Sequence, residues 1–254
     1  MTSDTPRYSR HVLLSFIGEE GQRKIERSRV LVAGLGALGS LIATLLARAG
    51  VGFLRIVDFD APELHNLHRQ ILYDEADTLP GISKAQAAKQ KLCAANSSVQ
   101  IDAVEAVISS GNVERLTEGV DLVVDALDNI RARYFVNDMA VARAIPYVFG
   151  GAVEASGNVM TIIPGKTPCL RCLWPNPEAV EGHPTAASVG VLSSAATAVA
   201  SVEVTEAIKL LVGRYEDILG GLLVMDLWRN TFHRVPVLPN PTCICRAKPP
   251  DTNR

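Results

Sequence analysis

Two groups of side chains in this sequence have types and spacings suited to chemistry. The first lies in DFDAPELHNLHRQIL, residues 58–72, where Asp58, Asn66, Arg69 and Gln70 fall close together. A carboxylate accepts hydrogen bonds from ribose hydroxyls, and a guanidinium offers a planar fork to phosphate oxygens. Asn66 and Gln70 can orient that fork or touch a ligand, while Asp60 reads as a turn residue. The second group is Cys169-Leu-Arg-Cys172 with Cys243-Ile-Cys245, four of the five cysteines. Close pairs in a chain without an export signal read as metal ligands before disulfides. Cys93, alone on a helical stretch, reads as a small buried side chain.

Elements must position these groups. Arg29-Val-Leu-Val-Ala33 is a short apolar run ending in Gly34-Leu-Gly36-Ala-Leu-Gly39, and a helix follows to about Ala49. Such a loop supplies a tight turn, close backbone approach and a helix N-terminus for phosphate; the alternative is a glycine turn kept for packing. Asp58 ends the next strand (53–57), where a ribose acid is expected, and by itself the fingerprint favours NAD. Arg69 and Lys84 add cations that a triphosphate calls for, unless both are solvated loop residues. Asp128-Asn129 follow the apolar run DLVVDA, at the strand end where parallel sheets bind ligands. Asp128 suits Mg²⁺ through oxygen ligands, or it caps the following helix.

The remaining pattern is a helical stretch over 8–28, broken at Gly18 and Gly21, then helices at 84–95 and 131–143. Strands are expected at 99–104, 121–126 and 147–149. This alternation predicts an α/β, Rossmann-like, mostly parallel twisted sheet with helices on both faces. Beyond Gly150 come a strand (159–163), a turn holding Cys169–Cys172, a loop (173–188), a small-residue helix (191–212) and an antiparallel hairpin (222–227, 231–237). An N-terminal helical segment (1–28), a nucleotide-binding region (29–165) and a C-terminal region (166–254) are expected to form one continuous domain. With 254 residues, 48% of them hydrophobic, the chain can bury a large core. A net charge of -2 argues against a general nucleic-acid or anionic-membrane binder. No apolar run approaches the roughly 20 residues of a membrane span, and the polar N-terminus points to the cytoplasm.

RYSRH, GLGALG, DFD, NLHRQ, GISK, LDN with R-x-x-x-N (Arg133 to Asn137), CLRC and the terminal cysteine pair follow one another over nearly the whole chain. In these motifs the sequence resembles the ThiF/MoeB/HesA adenylyltransferases, bacterial relatives of the ubiquitin-activating enzymes. The resemblance implies that ATP activates the C-terminal glycine carboxylate of a ubiquitin-like sulfur-carrier protein. The product is an acyl adenylate, and pyrophosphate leaves. It implies that Gly34, Gly36 and Gly39 bind ATP, with Asn129 beside them, and that Asp58 holds the ribose. Asn66, Arg69 and Lys84 then contact the phosphates, and Asp128 ligates magnesium. Arg10 would reach into a partner subunit's active site, which makes a homodimer.

Two features depart from the pattern. The second cysteine pair is one residue short of Cys-x-x-Cys, so structural zinc is expected, with three-cysteine ligation or a metal-free cluster as alternatives. The loop cysteine that captures the carrier in some members is Ala186 here, and no cysteine lies between Cys172 and Cys243. The enzyme is therefore expected to stop at the adenylate. Sulfur insertion falls to a separate sulfurtransferase, since the chain ends at Arg254. His183 reads as a solvated loop residue. Rival readings are a nicotinamide oxidoreductase, a non-catalytic binder of ubiquitin-like proteins, and a branch that adenylates a peptide or tRNA. The carrier, of molybdopterin, thiamin or other type, stays open.

Overall fold

In β1 (Arg29–Ala33), Val30 and Val32 face one way and Leu31 and Ala33 the other, and all four are fully buried. A strand buried on both faces needs a helical layer on each. The computed structural model, which describes residues 5–176, 182 and 184–246, has that arrangement. β1 pairs in parallel with β2 (Phe53–Val57) and β4 (Leu122–Asp125), and β3 (Gln100–Val104) and β5 (Tyr147–Val153) extend the sheet outward. β6 (Ser156–Ile162), β7 (Leu222–Asp226) and β8 (Thr231–Val235) continue it antiparallel, in the order β3-β2-β1-β4-β5-β6-β7-β8. The order reverses between β1 and β4. A ligand crevice is expected there, outside the strands' carboxyl ends.

One face packs against α2 (Gly18–Arg27), α3 (Gly39–Ala49), α4 (Lys84–Ala95) and α9 (Ser193–Val212). The other is covered by α5 (Val113–Leu116), α6 (Ile130–Ala142) and α7 (Leu170–Leu173). The first helix, α1 (Thr5–Val12), lies on α2, and the one-turn α8 (Ala186–Val189) lies near β5. The inner face of α9 is Ala195, Ala196, Val199, Ala200 and Ala207, so it sits close to the sheet. The strands make room with glycine: a Cβ on Gly157 would fall 2.1 Å from Val199, and one on Gly150 would fall 2.2 Å from the Glu203 carboxyl.

Several expectations change. Gly21 does not break the helix; α2 runs through it because the missing Cβ lets Ile17 and Val212 pack there. The strand expected at 147–149 extends to Val153, since Gly150 and Gly151 accommodate Glu203 and Arg133. The turn at Cys169–Cys172 holds the helical turn α7. The helix expected from 191 begins at Ser193, because Gly190 and Leu192 hydrogen-bond the backbone of Glu154. Cys93 is exposed, not buried, because α4 turns Ala85, Ala88 and Leu92 inward instead. His183 lies outside the described residues. Among the described residues no helix is long and apolar enough to cross a membrane.

Glu203 is completely buried, and neither carboxyl oxygen has a hydrogen-bond partner among the described residues. Burial first, then the nearby Asp125 charge, pushes its pKa well above the usual carboxylate range. Between the ordinary value and the raised one, the folded state keeps a proton that the unfolded state releases, so stability falls as pH rises. Glu203→Gln should remove that loss. In denaturant melts the wild type should weaken relative to the variant by up to about 1.4 kcal/mol per pH unit above about pH 4.5. A gap independent of pH would contradict a neutral, buried Glu203.

Candidate active site

The glycine loop leaves β1 at the switch point, and its three glycines serve different ends. Gly34 has φ +94°, and a Cβ there would lie 2.7 Å from the Ala126 carbonyl. A Cβ on Gly39 would lie 2.0 Å from the Gly34 carbonyl, so both are demanded by packing. Over Gly36 the space is open, with only the Gln70 Nε2 at 3.8 Å from where a Cβ would stand. Helix α3 has no side-chain N-cap, which leaves its positive end to an anion.

Asp58 sits beside this loop. Its Oδ2 accepts from the Leu35 N–H at 2.7 Å and its Oδ1 from the Asp60 N–H at 2.9 Å. Burial raises its pKa, opposed by these bonds and by Lys84. Lys84, only 5% exposed, holds its ammonium 3.1 Å from Asp60. Asp60 is thus an ion-pair partner and more than a turn residue. Tyr73 donates to the Leu35 carbonyl at 3.1 Å and ties the 66–73 segment to the loop.

In that segment Asn66 is buried, its Oδ1 accepting from the Glu63 N–H at 3.2 Å. Arg69 donates from Nη1 to the His65 carbonyl at 2.9 Å. With His65, His68, Ala186, Ala187, Gly190 and Val191 it lines a pocket of about 420 Å³. No cysteine lines this pocket.

Across the switch point, β4 ends in Asp125. Its carboxylate accepts from the Leu127 N–H at 2.7 Å and the Tyr147 hydroxyl at 2.6 Å, with Arg133 Nε at 3.2 Å. Burial raises the Asp125 pKa, and Arg133 opposes it. Arg133 also donates to the carbonyls of Leu127 and Gly150. The 126–129 turn is fixed by these bonds. Asn129, not Asp128, caps α6, accepting from the Arg131 and Ala132 N–H groups at 2.9 and 3.2 Å. Asp128 is exposed, with no hydrogen-bond or ion-pair partner among the described residues. Arg10 is exposed on α1 and bonded to none of these groups.

The four cysteines converge on the α6 face. Sγ of Cys169 lies 3.5 Å from that of Cys243, Cys172 lies 3.5 Å from Cys245, and all four sulfurs fall within 4.8 Å of one another. Asn240 donates its N–H to Cys172 at 3.4 Å. Burial pushes Cys169 up to about 11 and also raises Cys245. Burial acts to raise Cys172 too, but N–H donors led by Asn240 outweigh it and lower its pKa. Such a cluster could hold a metal ion. The short Cys-x-Cys spacing does not keep the fourth thiol away.

Sequence reasoning left the Asp125–Arg133–Tyr147 network without a role. An acid closing an otherwise apolar strand was the available signal; its partners come from α6 and β5, far along the chain.

The glycine assignment has a direct check. Gly39→Ala should lower stability by about 1–3 kcal/mol, through overpacking against Gly34. Gly36→Ala should keep the wild-type denaturation midpoint and bind nucleotide more weakly in calorimetric titration. A Gly36→Ala protein that unfolds early, or binds nucleotide like wild type, would contradict the open-face reading.

Comparison with known proteins places the chain in a family. The ThiF family model matches residues 8–247. The sulfur carrier protein ThiS adenylyltransferase of Bacillus subtilis is 40% identical over 227 residues, 89% of this chain and 66% of that protein. The sulfur carrier protein adenylyltransferase of Thermus thermophilus is 37% identical over 249 residues, covering 96% of this chain and 91% of its own. The chain spans 56% of the adenylyltransferase and sulfurtransferase MOCS3 of Aedes aegypti, at 36% identity over 97% of this chain. Among solved structures, E. coli MccB with ATP superposes with a TM-score of 0.81 at 24% identity, covering 93% of this chain and 73% of its own. At that identity the likeness speaks for the fold alone. The sequence relatives and the matched model go further: this chain belongs to the ThiF family.

Proposed function

We propose that this protein is an ATP-dependent adenylyltransferase acting on a ubiquitin-like sulfur-carrier protein of molybdopterin, thiamin or similar type. Relatives at 37–40% identity carry the name of that activity, and they match most of this chain. The observation that carries the reading is the switch point. An uncapped helix end, a ribose-type acid and an Asp128 without a partner among the described residues follow the carboxyl ends of β1, β2 and β4, and the cations Arg69 and Lys84 stand on the segment that follows β2.

The carrier's C-terminal carboxylate attacks the α-phosphorus of ATP and pyrophosphate leaves. The attacking carboxylate is already ionised at neutral pH, so no general base is required. The remaining task is to align two anions and neutralise charge on the oxygens. Gly34, Gly36 and Gly39 with α3 bind the phosphates, and Asp58 takes the ribose. Asn66, Arg69 and Lys84 serve the outer phosphates, with Asn129 alongside. Asp128 would hold Mg²⁺, which supplies charge neutralisation when bound; its exposed carboxylate fits an oxygen-ligated cation.

Arg10 is assigned to the partner subunit's site in a homodimer. Exposed Leu13 (72%) and Phe16 (54%), just beyond it, support burial against a second copy. Zinc is assigned to Cys169, Cys172, Cys243 and Cys245. Tetrahedral thiolates about 2.3 Å from zinc stand about 3.8 Å apart, close to the two 3.5 Å edges observed. Ala186 in the pocket wall leaves no thiol to capture the acyl group, so sulfur comes from a separate sulfurtransferase.

Carrier-dependent ATP–pyrophosphate exchange tests this reading. Asp128→Ala and Arg69→Ala should each lower exchange by about 10²–10³-fold. The same wild-type protein should contain stoichiometric zinc and elute as a dimer. No exchange with any glycine-terminated carrier, together with NAD binding, would overturn the assignment.

A further inference from the structure

Gln70 is 4% exposed, yet its side chain is not satisfied among the described residues. Among the described residues its buried Oε1 has no hydrogen-bond partner, and its Nε2 makes no hydrogen bond either. Nε2 is instead the nearest group to the open face of Gly36. A buried carboxamide with an orphaned oxygen costs stability, and an apolar side chain of similar length would remove that cost. Packing alone therefore does not explain a glutamine here.

Two independent features meet at this point: the uncapped N-terminus of the eleven-residue α3, and an amide donor directed over the one glycine of the loop that packing does not require. Resting on the adenylyltransferase reading above, we propose that Gln70 is a reactant-positioning residue whose Nε2–H donates to the phosphoryl oxygen lying over Gly36. Asn66 and Arg69 lie on the same segment, so the 66–70 stretch carries a neutral donor beside a charged one. A neutral amide fixes an oxygen's position without adding a second fixed charge to the crevice. The Tyr73 bond to Leu35 keeps Gln70 in register with the loop.

The test compares wild type, Gln70→Met and Gln70→Glu, using α,β-methylene-ATP with magnesium in calorimetric titration and thermal melts of the same samples. Gln70→Met should melt at or above wild type and bind the analogue about 10–100-fold more weakly, as loss of a hydrogen bond to a charged group predicts. Gln70→Glu, placing a carboxylate against the phosphate, should bind more weakly still. If Gln70→Met binds like wild type, or melts well below it, the amide is a structural residue and the proposal fails. If wild type itself binds no ATP analogue, the adenylyltransferase reading fails first and takes this one with it.

Discussion

The position of a single guanidinium organises the crevice. Arg133 lies between the Asp125 carboxylate and the carbonyls of Leu127 and Gly150, joining β4, β5 and the turn between them and α6. Asp125 has no exposed surface, and burying a carboxylate is costly unless it is paired and hydrogen-bonded. Here it receives a cation, a tyrosine hydroxyl and a backbone N–H. The exposed Asp128 stands on the turn so fixed. The turn cannot relax without breaking buried polar contacts, which is the rigidity a reactant-aligning site needs.

The same helix reaches the cysteine cluster. One turn after Arg133, Asn137 accepts the Leu170 N–H at 3.0 Å and lies 3.9 Å from the Cys169 sulfur. Residues four apart share a helix face, so α6 presents one polar side chain to the crevice and one to the cysteines. Asp138 adds a two-point pairing with Arg171 at 2.7 and 2.6 Å. Helix α7 is thereby held to the face of the sheet that carries α6. With a metal bound, the cluster would staple the far end of the chain to the helix that braces the site.

Much of this was legible in the sequence because it is local. The glycine loop, the acid ending β2, the N-x-x-R segment and the cysteine pairs each declare themselves within a few residues, and alternation gave the sheet its two helical layers. What was not legible depends on distant packing. Nothing near Gly150 says that Glu203 fills the space above it, and nothing near Cys93 says which side of α4 turns inward. Gly21 looks like a breaker until Val212, at the other end of the chain, is found against it. Asp128 was the residue read as a possible helix cap until the structure gave the cap to Asn129.

In the proposed reaction a carboxylate oxygen becomes bonded to the α-phosphorus. Isotope tracing reads that bond directly. The carrier, with ¹⁸O in both oxygens of its C-terminal carboxylate, is incubated with ATP, magnesium and the enzyme, and the adenylate is cleaved with hydroxylamine. Attack at the acyl carbon breaks the carbon–oxygen bond and leaves the bridging oxygen on phosphorus. The expected products are AMP carrying one ¹⁸O and a carrier ending in a hydroxamate. Unlabelled AMP, with both heavy oxygens retained on the carrier, would contradict the proposed reaction.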